Sequence, residues 1–447
     1  MKKPPTIPAR EAALELARRL KAAGHEALFA GGCVRDRLLN HPPEDYDIAT
    51  SATPTQVMGI FPGSNEVGAH FGVVIAKHGG HHIEIATFRT DGSYHDGRRP
   101  ESVTFSTPQE DAQRRDFTIN GLFEIPETGE VIDHVGGLAD LKAGIIRAIG
   151  DPTARFIEDG LRLLRAVRFA ARMGFSIEPT TDAALRECAS LLGKISPERI
   201  RDEFSKILTS SRRREGIEHL VNSDLIRHFM PEVLPMIGCE QPPEWHPEGD
   251  VYTHTLIMLG MLAPDAPLEL CLAVLLHDIA KPPCRTIDPD GRIRFNGHDS
   301  MGATMAETIL RRLRYSNSVI DAVVPMVARH MQFMNVQKMR VAKLKRFMAE
   351  PSFDQEMELH RVDCGSSNGF TDNYEFLQAK AKEFAAEPLI PPPLVTGRDL
   401  IELGLQPGPR FKEILEALQT EQLEGRIQER DPALEYLQQL VQILEKT

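Results

Sequence analysis

Long apolar runs are missing from this 447-residue chain: the longest covers residues 270–276, far short of the ~18 residues a membrane span needs. Cysteine is scarce, six in all with no C-x-x-C pair, which excludes a disulfide framework and a thiolate zinc site. An apolar leader core is lacking too: Lys2 and Lys3 run into prolines and then an amphipathic stretch, so a cytoplasmic protein with no membrane association is expected. Internal repeats, low-complexity tracts and coiled-coil heptads are absent. What is present is a globular composition, 41% hydrophobic and 26% charged, enough for a sizeable core and, by length, for roughly two to four domains. Positive charge is in deficit, with a net of −12, which argues against a nucleic-acid partner. That average hides a division. Residues 1–220 carry 29 Lys/Arg against 31 Asp/Glu, and the remainder 23 against 33. The arginines of the first half cluster at 98–99, 114–115, 162–172 and 212–214, and local patches decide which ligands are attracted.

Residues 9–23 read as an amphipathic helix, and β-like runs follow at 26–30, 72–76, 82–88 and 102–105. Helical periodicity begins near Thr153 and dominates thereafter, in stretches such as 158–173, 197–209, 268–280 and 303–314. Strands first and helices afterwards predict an α+β chain, a mixed-sheet head on an all-α body. Seams are expected at 149–152, 241–247 and 391–393.

The first constellation opens at Gly31-Gly32, where an apolar strand hands over to a helix beginning near Val34-Arg35-Asp36. Two glycines there let a phosphate approach the backbone, and the helix N-terminus offers unpaired N–H groups. Arg35 adds a guanidinium fork for phosphate oxygens. Ten residues on stands Asp45-Tyr46-Asp47, whose carboxylates share one face of an extended backbone and suit a hard cation. Such a pair holding Mg²⁺ activates an attacking hydroxyl and stabilises a leaving pyrophosphate. Glu84, out of phase with Ile83 and Ile85, is a candidate third carboxylate.

Gly31-Gly32-Cys33-Val34-Arg35-Asp36 with Asp45 and Asp47 resembles the opening motif of the class II tRNA nucleotidyltransferase/bacterial poly(A) polymerase family. Four further stretches match in order. Arg89 to Tyr94 with Asp96 to Pro100 looks like that family's flexible loop, and Arg114-Arg115-Asp116-Phe117-Thr118-Ile119-Asn120 like its phosphate and sugar motif. Arg155 to Arg162, running on through Arg165 and Arg168, resembles its base-reading helix, and Ile195 to Ile200 with Glu203 its neck motif. The resemblance spans about residues 25–210. It implies that Gly31, Gly32, Arg35, Arg115, Asp116, Arg165 and Arg168 bind nucleotide, and that Asp159 with Arg162 reads the base from one helical face. A carboxylate accepts from the exocyclic amino group of cytosine or adenine while a guanidinium donates to the ring acceptor. Guanine or uracil sets a carbonyl against that carboxylate. The loop residues Asp91, Asp96 and Arg98 imply ATP use.

A second constellation lies downstream: His254, His277-Asp278, His298, His330 and Asp363. Imidazoles and carboxylates suit a divalent metal, and an adjacent His-Asp pair supplies two ligands only if the backbone is distorted there or two metals share the pair. The arrangement resembles the HD phosphohydrolase superfamily, with His298 and His330 placed for a second ion. This implies metal-activated water attacking a phosphoester, or a domain kept as a structural part of the body.

The combined expectation is a nucleotidyltransferase head at 1–150, a helical neck at 151–240, an HD-type metal-binding domain at 241–390 and a helical tail at 391–447 that could contact RNA. The expected reaction adds CCA, or the terminal A, to tRNA 3′ ends from CTP and ATP, with Asp45, Asp47 and Glu84 catalytic. A poly(A) polymerase and an HD-type phosphohydrolase are the alternatives.

Overall fold

The computed structural model describes residues 7–66, 72–92, 102–367 and 369–445, the last three by backbone alone. Nine strands form the head: β1 (Ala27–Ala30), β2 (Ile48–Thr50), β3 (Asn65–Glu66), β4 (Val73–His78), β5 (His81–Thr87), β6 (Arg89–Asp91), β7 (Val103–Phe105), β8 (Leu122–Glu124) and β9 (Val131–Asp133). Seven of them make one sheet in the order β3-β4-β5-β2-β1-β8-β9, and β6 pairs with β7 in a separate ribbon. Every pairing in the large sheet is antiparallel except β2 with β5. The interior strand β1, Ala-Leu-Phe-Ala, is buried at all four positions, as an apolar run flanked on both sides requires. The helix α1 (Ala9–Ala22) covers the sheet with Ala13, Leu16, Ala17 and Leu20, spaced at three and four residues.

Sheet register fixes the first site. β1 ends at Ala30, Gly31 turns with φ +70, and α2 (Gly32–Leu38) begins. The Ala30 N–H donates to the Asp47 carbonyl at 3.1 Å, so Asp47 enters β2 beside that turn. Ile48 then pairs in parallel with Ile85, which sets Glu84 alongside Asp47. The alternation expected for β5 is observed, with Ile83 and Ile85 buried and Glu84 exposed.

Two helices follow in the head, α3 (Pro54–Ile60) and α4 (Pro108–Gln113), each opened by a reciprocal capping box, Thr53 with Gln56 and Thr107 with Glu110. After α5 (Gly137–Ala143) come α6 (Pro152–Glu158), α7 (Leu161–Met173), α8 (Pro179–Glu187), α9 (Pro197–Leu208) and α10 (Arg213–Asn222). The single helix expected over 158–173 is thus two. Asp159 takes extended angles (φ −145, ψ 104) and Gly160 caps α7, so Asp159 and Arg162 do not share a helical face. The Asp159-Gly160 dipeptide is itself a turn signal that overrides the apolar period.

The remaining helices are α11 (Val251–Met261), α12 (Leu268–Leu276), α13 (Lys281–Cys284), α14 (His298–Arg312), α15 (Asn317–Arg329), α16 (Val341–Met348), α17 (Phe353–Ser366), α18 (Asp372–Phe384), α19 (Gly397–Glu402), α20 (Pro409–Leu423) and α21 (Arg430–Glu445). α12 stops at Leu276 rather than Ala280, releasing His277 and Asp278 into a turn, the local distortion that two adjacent ligands require. Leu400, Ile414, Leu418 and Leu437 form a core of the tail.

The chain divides into two compact units, 1–234 with 263–268 and 309–315, and 235–262 with 269–308 and 316–447. Residues 1–150 and the expected neck as far as residue 234 fall in the first unit. Ile145–Ile146 pairs with Ser176–Ile177 and Phe117 bridges to Ala148, so backbone ladders tie residues preceding 149–152 to the head on one side and the neck on the other. No described helix is long and apolar enough to cross a membrane.

Candidate active site and a buried histidine–carboxylate cluster

A cavity of about 780 Å³ lies in the first unit, lined by Gly31, Gly32, Asp45, Asp47, Glu84, Asp116, Asn120, Asp159 and the guanidinium-bearing Arg35, Arg115, Arg162, Arg165, Arg168 and Arg199. Strand register sets its acidic floor, with Asp47 beside the Gly31 turn and Glu84 alongside it. Burial pushes the Asp47 carboxyl up to about 6, with the Glu84 and Asp45 charges adding to it and Arg115 opposing. Glu84 is raised as well, mainly by burial, with Arg89 pulling the other way. Two carboxyls held back from ionisation, with the Asp45 carboxylate beside them, are a cation site in chemical terms, because a divalent ion removes the repulsion. Asp45, Asp47 and Glu84 therefore fit Mg²⁺.

The cationic wall is locked in place. Arg115 donates twice to Asp111 Oδ2, at 2.9 and 3.1 Å, and once to the Asn120 carbonyl. A Cβ at Gly31 would stand 3.0 Å from Arg115 Nη1, so glycine is needed there for space as well as for its positive φ. Arg35 is buried and donates to Asp36 and to Asn120 Oδ1, at 2.8 and 2.6 Å. Arg165 grips Asp116 Oδ2 through Nε at 2.8 Å. Although burial opposes its charge, Arg165, Asn120 and the Phe117 N–H hold Asp116 down at about 2. Asp116 thus orients an arginine rather than a metal. Arg168 is pulled down to about 10 by burial, against the support of Glu203.

Asp159 and Arg162 line the same cavity but are held by other partners. Asp159 Oδ1 accepts from the Leu161 N–H at 3.0 Å, and Oδ2 from Arg199 Nη2 at 2.8 Å. Arg162 donates to Glu158 Oε2 at 2.5 Å and to the carbonyls of Arg155 and Arg114. Of the loop residues, Asp91 pairs with Arg89 at 2.9 Å; Asp96 and Arg98 lie outside the described residues.

The second unit brings the other six residues into a continuous cluster. His277, His298 and His330 each donate Nδ1–H to a carbonyl three residues back, Val274, Phe295 and Val327, at 2.8, 2.7 and 2.7 Å. In the neutral form of each ring this leaves Nε2 as the lone-pair nitrogen. His298 Nε2 and His330 Nε2 lie 3.1 Å apart, with Asp278 Oδ1 at 3.4 and 3.7 Å. His254 Nδ1 meets Glu248 Oε1 at 2.6 Å and its Nε2 meets Asp363 Oδ1 at 3.1 Å. Two sets of donors, His254 with His277 and Asp278, and Asp278 with His298 and His330, each lie within 4.8 Å of one another. His277 Nε2 lies 3.1 Å from Asp278 Oδ2, and Lys281 Nζ reaches the same oxygen at 2.7 Å. Buried imidazole nitrogens and carboxylate oxygens converging in this way are a donor set that fits one or two divalent cations. The charges agree: burial opposes it, but His277 and Lys281 hold Asp278 well below the carboxylate range. His254 rises to about 9 against burial, through Asp363 and Glu248, whereas burial takes His330 down to about 4.

Comparison with known proteins follows the same division. A poly(A) polymerase head-domain model matches residues 27–147, and a model described as a probable RNA and SrmB binding site of polymerase A matches 174–237. A third, a putative second domain of tRNA nucleotidyltransferase, matches 298–437. All three descriptions are of poly(A) polymerase or tRNA nucleotidyltransferase domains, and they match this chain in that order. It is 48% identical over 225 residues to a CCA-adding enzyme of Limosilactobacillus fermentum, covering 50% of this chain and 56% of that one. To the CCA-adding enzyme of Lactiplantibacillus plantarum it is 43% identical over 260 residues, 57% of this chain and 63% of the other. The chain thus spans a little over half the length of the curated relatives it matches. The crystal structure of the Bacillus stearothermophilus CCA-adding enzyme in complex with CTP superimposes with a TM-score of 0.75 at 27% identity, over 99% of this chain and 100% of that one.

Three residues of the site escape sequence reasoning. Arg199, Glu158 and Asp111 stand inside or beside the quoted motifs, but their roles as partners of Asp159, Arg162 and Arg115 depend on contacts the sequence does not display. Glu248 is a fourth, since nothing in its spacing signals that it bridges His246 and His254, at 2.9 and 2.6 Å.

Proposed function

We propose that this chain adds CCA, or its terminal A, to tRNA 3′ ends from CTP and ATP, with release of pyrophosphate and no nucleic-acid template. The observation that carries the reading is one cavity with carboxylates on its floor, arginines on its wall and an Asp–Arg pair at its rim. Asp45, Asp47 and Glu84 would hold Mg²⁺, which supplies charge neutralisation of the phosphates and activation of the RNA 3′-hydroxyl. Arg35, Arg115, Arg165 and Arg168 bind triphosphate oxygens, their planar forks pre-set by Asp36, Asp111, Asp116 and Glu203. Gly31 and Gly32 let the phosphates approach the start of α2. Asp159, oriented by Arg199, accepts from the exocyclic amino group of cytosine or adenine, and Arg162 donates to the ring. A facing carbonyl of guanine or uracil leaves two acceptors opposed, at a cost of about 1–3 kcal/mol. RNA contact is expected through backbone phosphates and duplex shape.

The test supplies tRNA lacking CCA, tRNA lacking only A, and an unrelated oligoribonucleotide, each with single NTPs. Addition of C and A to the tRNAs alone supports the reading; a long A tract on all three replaces it with poly(A) synthesis.

A second reading concerns the cluster: a divalent-metal phosphohydrolase centre of HD type, with His254, His277, Asp278 and Asp363 around one ion and Asp278, His298 and His330 around another. The approach of His298 Nε2 and His330 Nε2 to Asp278 Oδ1, at 3.4 and 3.7 Å, favours it. Two equivalents of Mn²⁺ per chain in an Asp45→Ala/Asp47→Ala background support it, and none sinks it.

A further inference from the structure

The arginines of α7 form a file of four, of which the proposed reaction employs three. Arg162, Arg165, Arg168 and Arg172 follow at steps of three, three and four residues, which keeps them on one stripe of the helix, and all four line the same cavity. At 1.5 Å of rise per residue the file is about 15 Å long, with Arg162 at the base-reading end and Arg172 about 6 Å beyond Arg168. The inner members are fixed. Arg162 is held by Glu158, Arg165 by Asp116 and Arg168 by Glu203, and the Phe169 ring centroid lies 5.3 and 4.4 Å from the guanidinium carbons of Arg165 and Arg168. Arg172 is not fixed in this way. Its side chain is 59% exposed, and its ion pair among the described residues, to Asp36 Oδ2, is 3.8 Å long, beyond hydrogen-bond reach. Asp36 gives its other oxygen to Arg35, whose Nε and Nη2 lie 2.8 and 2.6 Å away. That contact places the Arg172 guanidinium beside α2, the helix at whose start Gly31 and Gly32 admit phosphate. A helix dipole favours a cation in the last turn of α7 wherever its side chain points, so lining the cavity beside α2 needs a further reason. Arg35, Arg115, Arg165 and Arg168 each have a carboxylate within 3.2 Å. Arg172 is the member of the file whose positive charge no acid has taken up closely.

We propose that Arg172 binds the terminal phosphates of the incoming ATP or CTP and then the pyrophosphate that leaves. The inference rests on the nucleotidyltransferase reading above and extends its phosphate subsite by one residue. In the reaction the RNA 3′-oxygen bonds to the α-phosphorus, the bridge to the β-phosphate breaks with its electron pair on pyrophosphate, and the hydroxyl proton is released to water. Negative charge therefore grows on the leaving group, and an arginine with no close acid partner is free to follow it.

The experiment measures addition of one adenylate to tRNA ending in CC by the full chain and by its Arg172→Ala and Arg172→Lys variants, with inorganic pyrophosphate and AMP as competitors. Arg172→Ala should raise the KM for ATP and the inhibition constant of pyrophosphate by a common factor of about three- to tenfold, a range kept low by the exposure of the side chain. The inhibition constant of AMP, which carries the base and one phosphate but no terminal ones, should stay at the parent's value, as should the KM for tRNA. Arg172→Lys should recover part of the loss, because it restores the charge without the planar fork. Equal pyrophosphate inhibition in parent and Arg172→Ala overturns the inference. An equal rise for AMP overturns it too, since that marks general damage to the cavity. A rise confined to the KM for tRNA also overturns it and assigns Arg172 to the RNA backbone instead. A parent that adds no nucleotide overturns the function proposed above, and the inference with it, whereas a parent that adds adenylate while the constants stay equal overturns the inference alone.

Discussion

Burial pushes Asp47 in the head and Asp278 in the histidine cluster in the same direction, yet the two carboxylates end on opposite sides of their ordinary range. Asp47 has Glu84 and Asp45 as neighbours in a broad cavity walled by arginines that other acids already hold. Asp278 has His277, His298 and Lys281 around it, with hardly any solvent exposure. The difference teaches what each site expects from its ligand. Repelling acids beside uncommitted faces of arginine suit a cation that arrives with a polyphosphate. Buried imidazoles converging on one carboxylate suit a cation that stays. Net charge describes neither site, although the acidic half of the chain holds the cluster.

The contrast can be broken in four ways, in order of expected size. Asp45→Ala/Asp47→Ala should lower nucleotide incorporation by more than about a thousandfold, while Mn²⁺ uptake by the cluster, followed by electron paramagnetic resonance, is unchanged. A parallel fall in both would show that the sites are not independent. Glu248→Leu removes the acceptor that fixes the His254 ring, so cluster metal affinity should fall about 10- to 100-fold with incorporation intact. Asp159→Ala should relax rejection of UTP and GTP by about ten- to a hundredfold in single-turnover kcat/KM, and Arg199→Ala should do so more weakly, since it removes only the orienting partner. Unchanged selectivity in both would refute base reading at this pair.

The smallest effect is a stability difference. The folded pKa of Asp116, about 2, lies below the ordinary 3.8, so its charge stabilises the fold by about 2 kcal/mol above pH ~5. That contribution shrinks as pH falls through 3.8 towards 2. Asp116→Asn should therefore destabilise the protein to urea by about that amount at pH 7, with the gap narrowing below pH 4. A gap independent of pH would show that Asp116 acts through packing alone.

Much of the head's chemistry was legible because it is written in short segments. Gly31-Gly32, Asp45-x-Asp47 and the out-of-phase Glu84 needed only turn chemistry and the period of a strand. The His and Asp residues of the cluster were legible from their order. What escaped depended on longer range or on weaker signals. β2, β8 and β9 have three residues each, too few for periodicity to register. The break at Asp159 was masked by the strong apolar period of α7, which made the segment read as one helix. Arg199 reaches Asp159 across 40 residues and Gln241 reaches Lys281 across 40, and no local pattern announces either contact. The seam at 149–152 is a turn within one unit because Phe117 and Ser176–Ile177 add backbone pairing on either side.

The most direct test of the account is the mass of a tRNA that ends immediately before CCA, after incubation with the protein, Mg²⁺ and all four NTPs. A gain of two cytidylates and one adenylate, and then a stop, is the predicted result, or a single adenylate on tRNA already ending in CC for an A-adding enzyme. An unextended tRNA, or an open-ended run of any nucleotide, would contradict it.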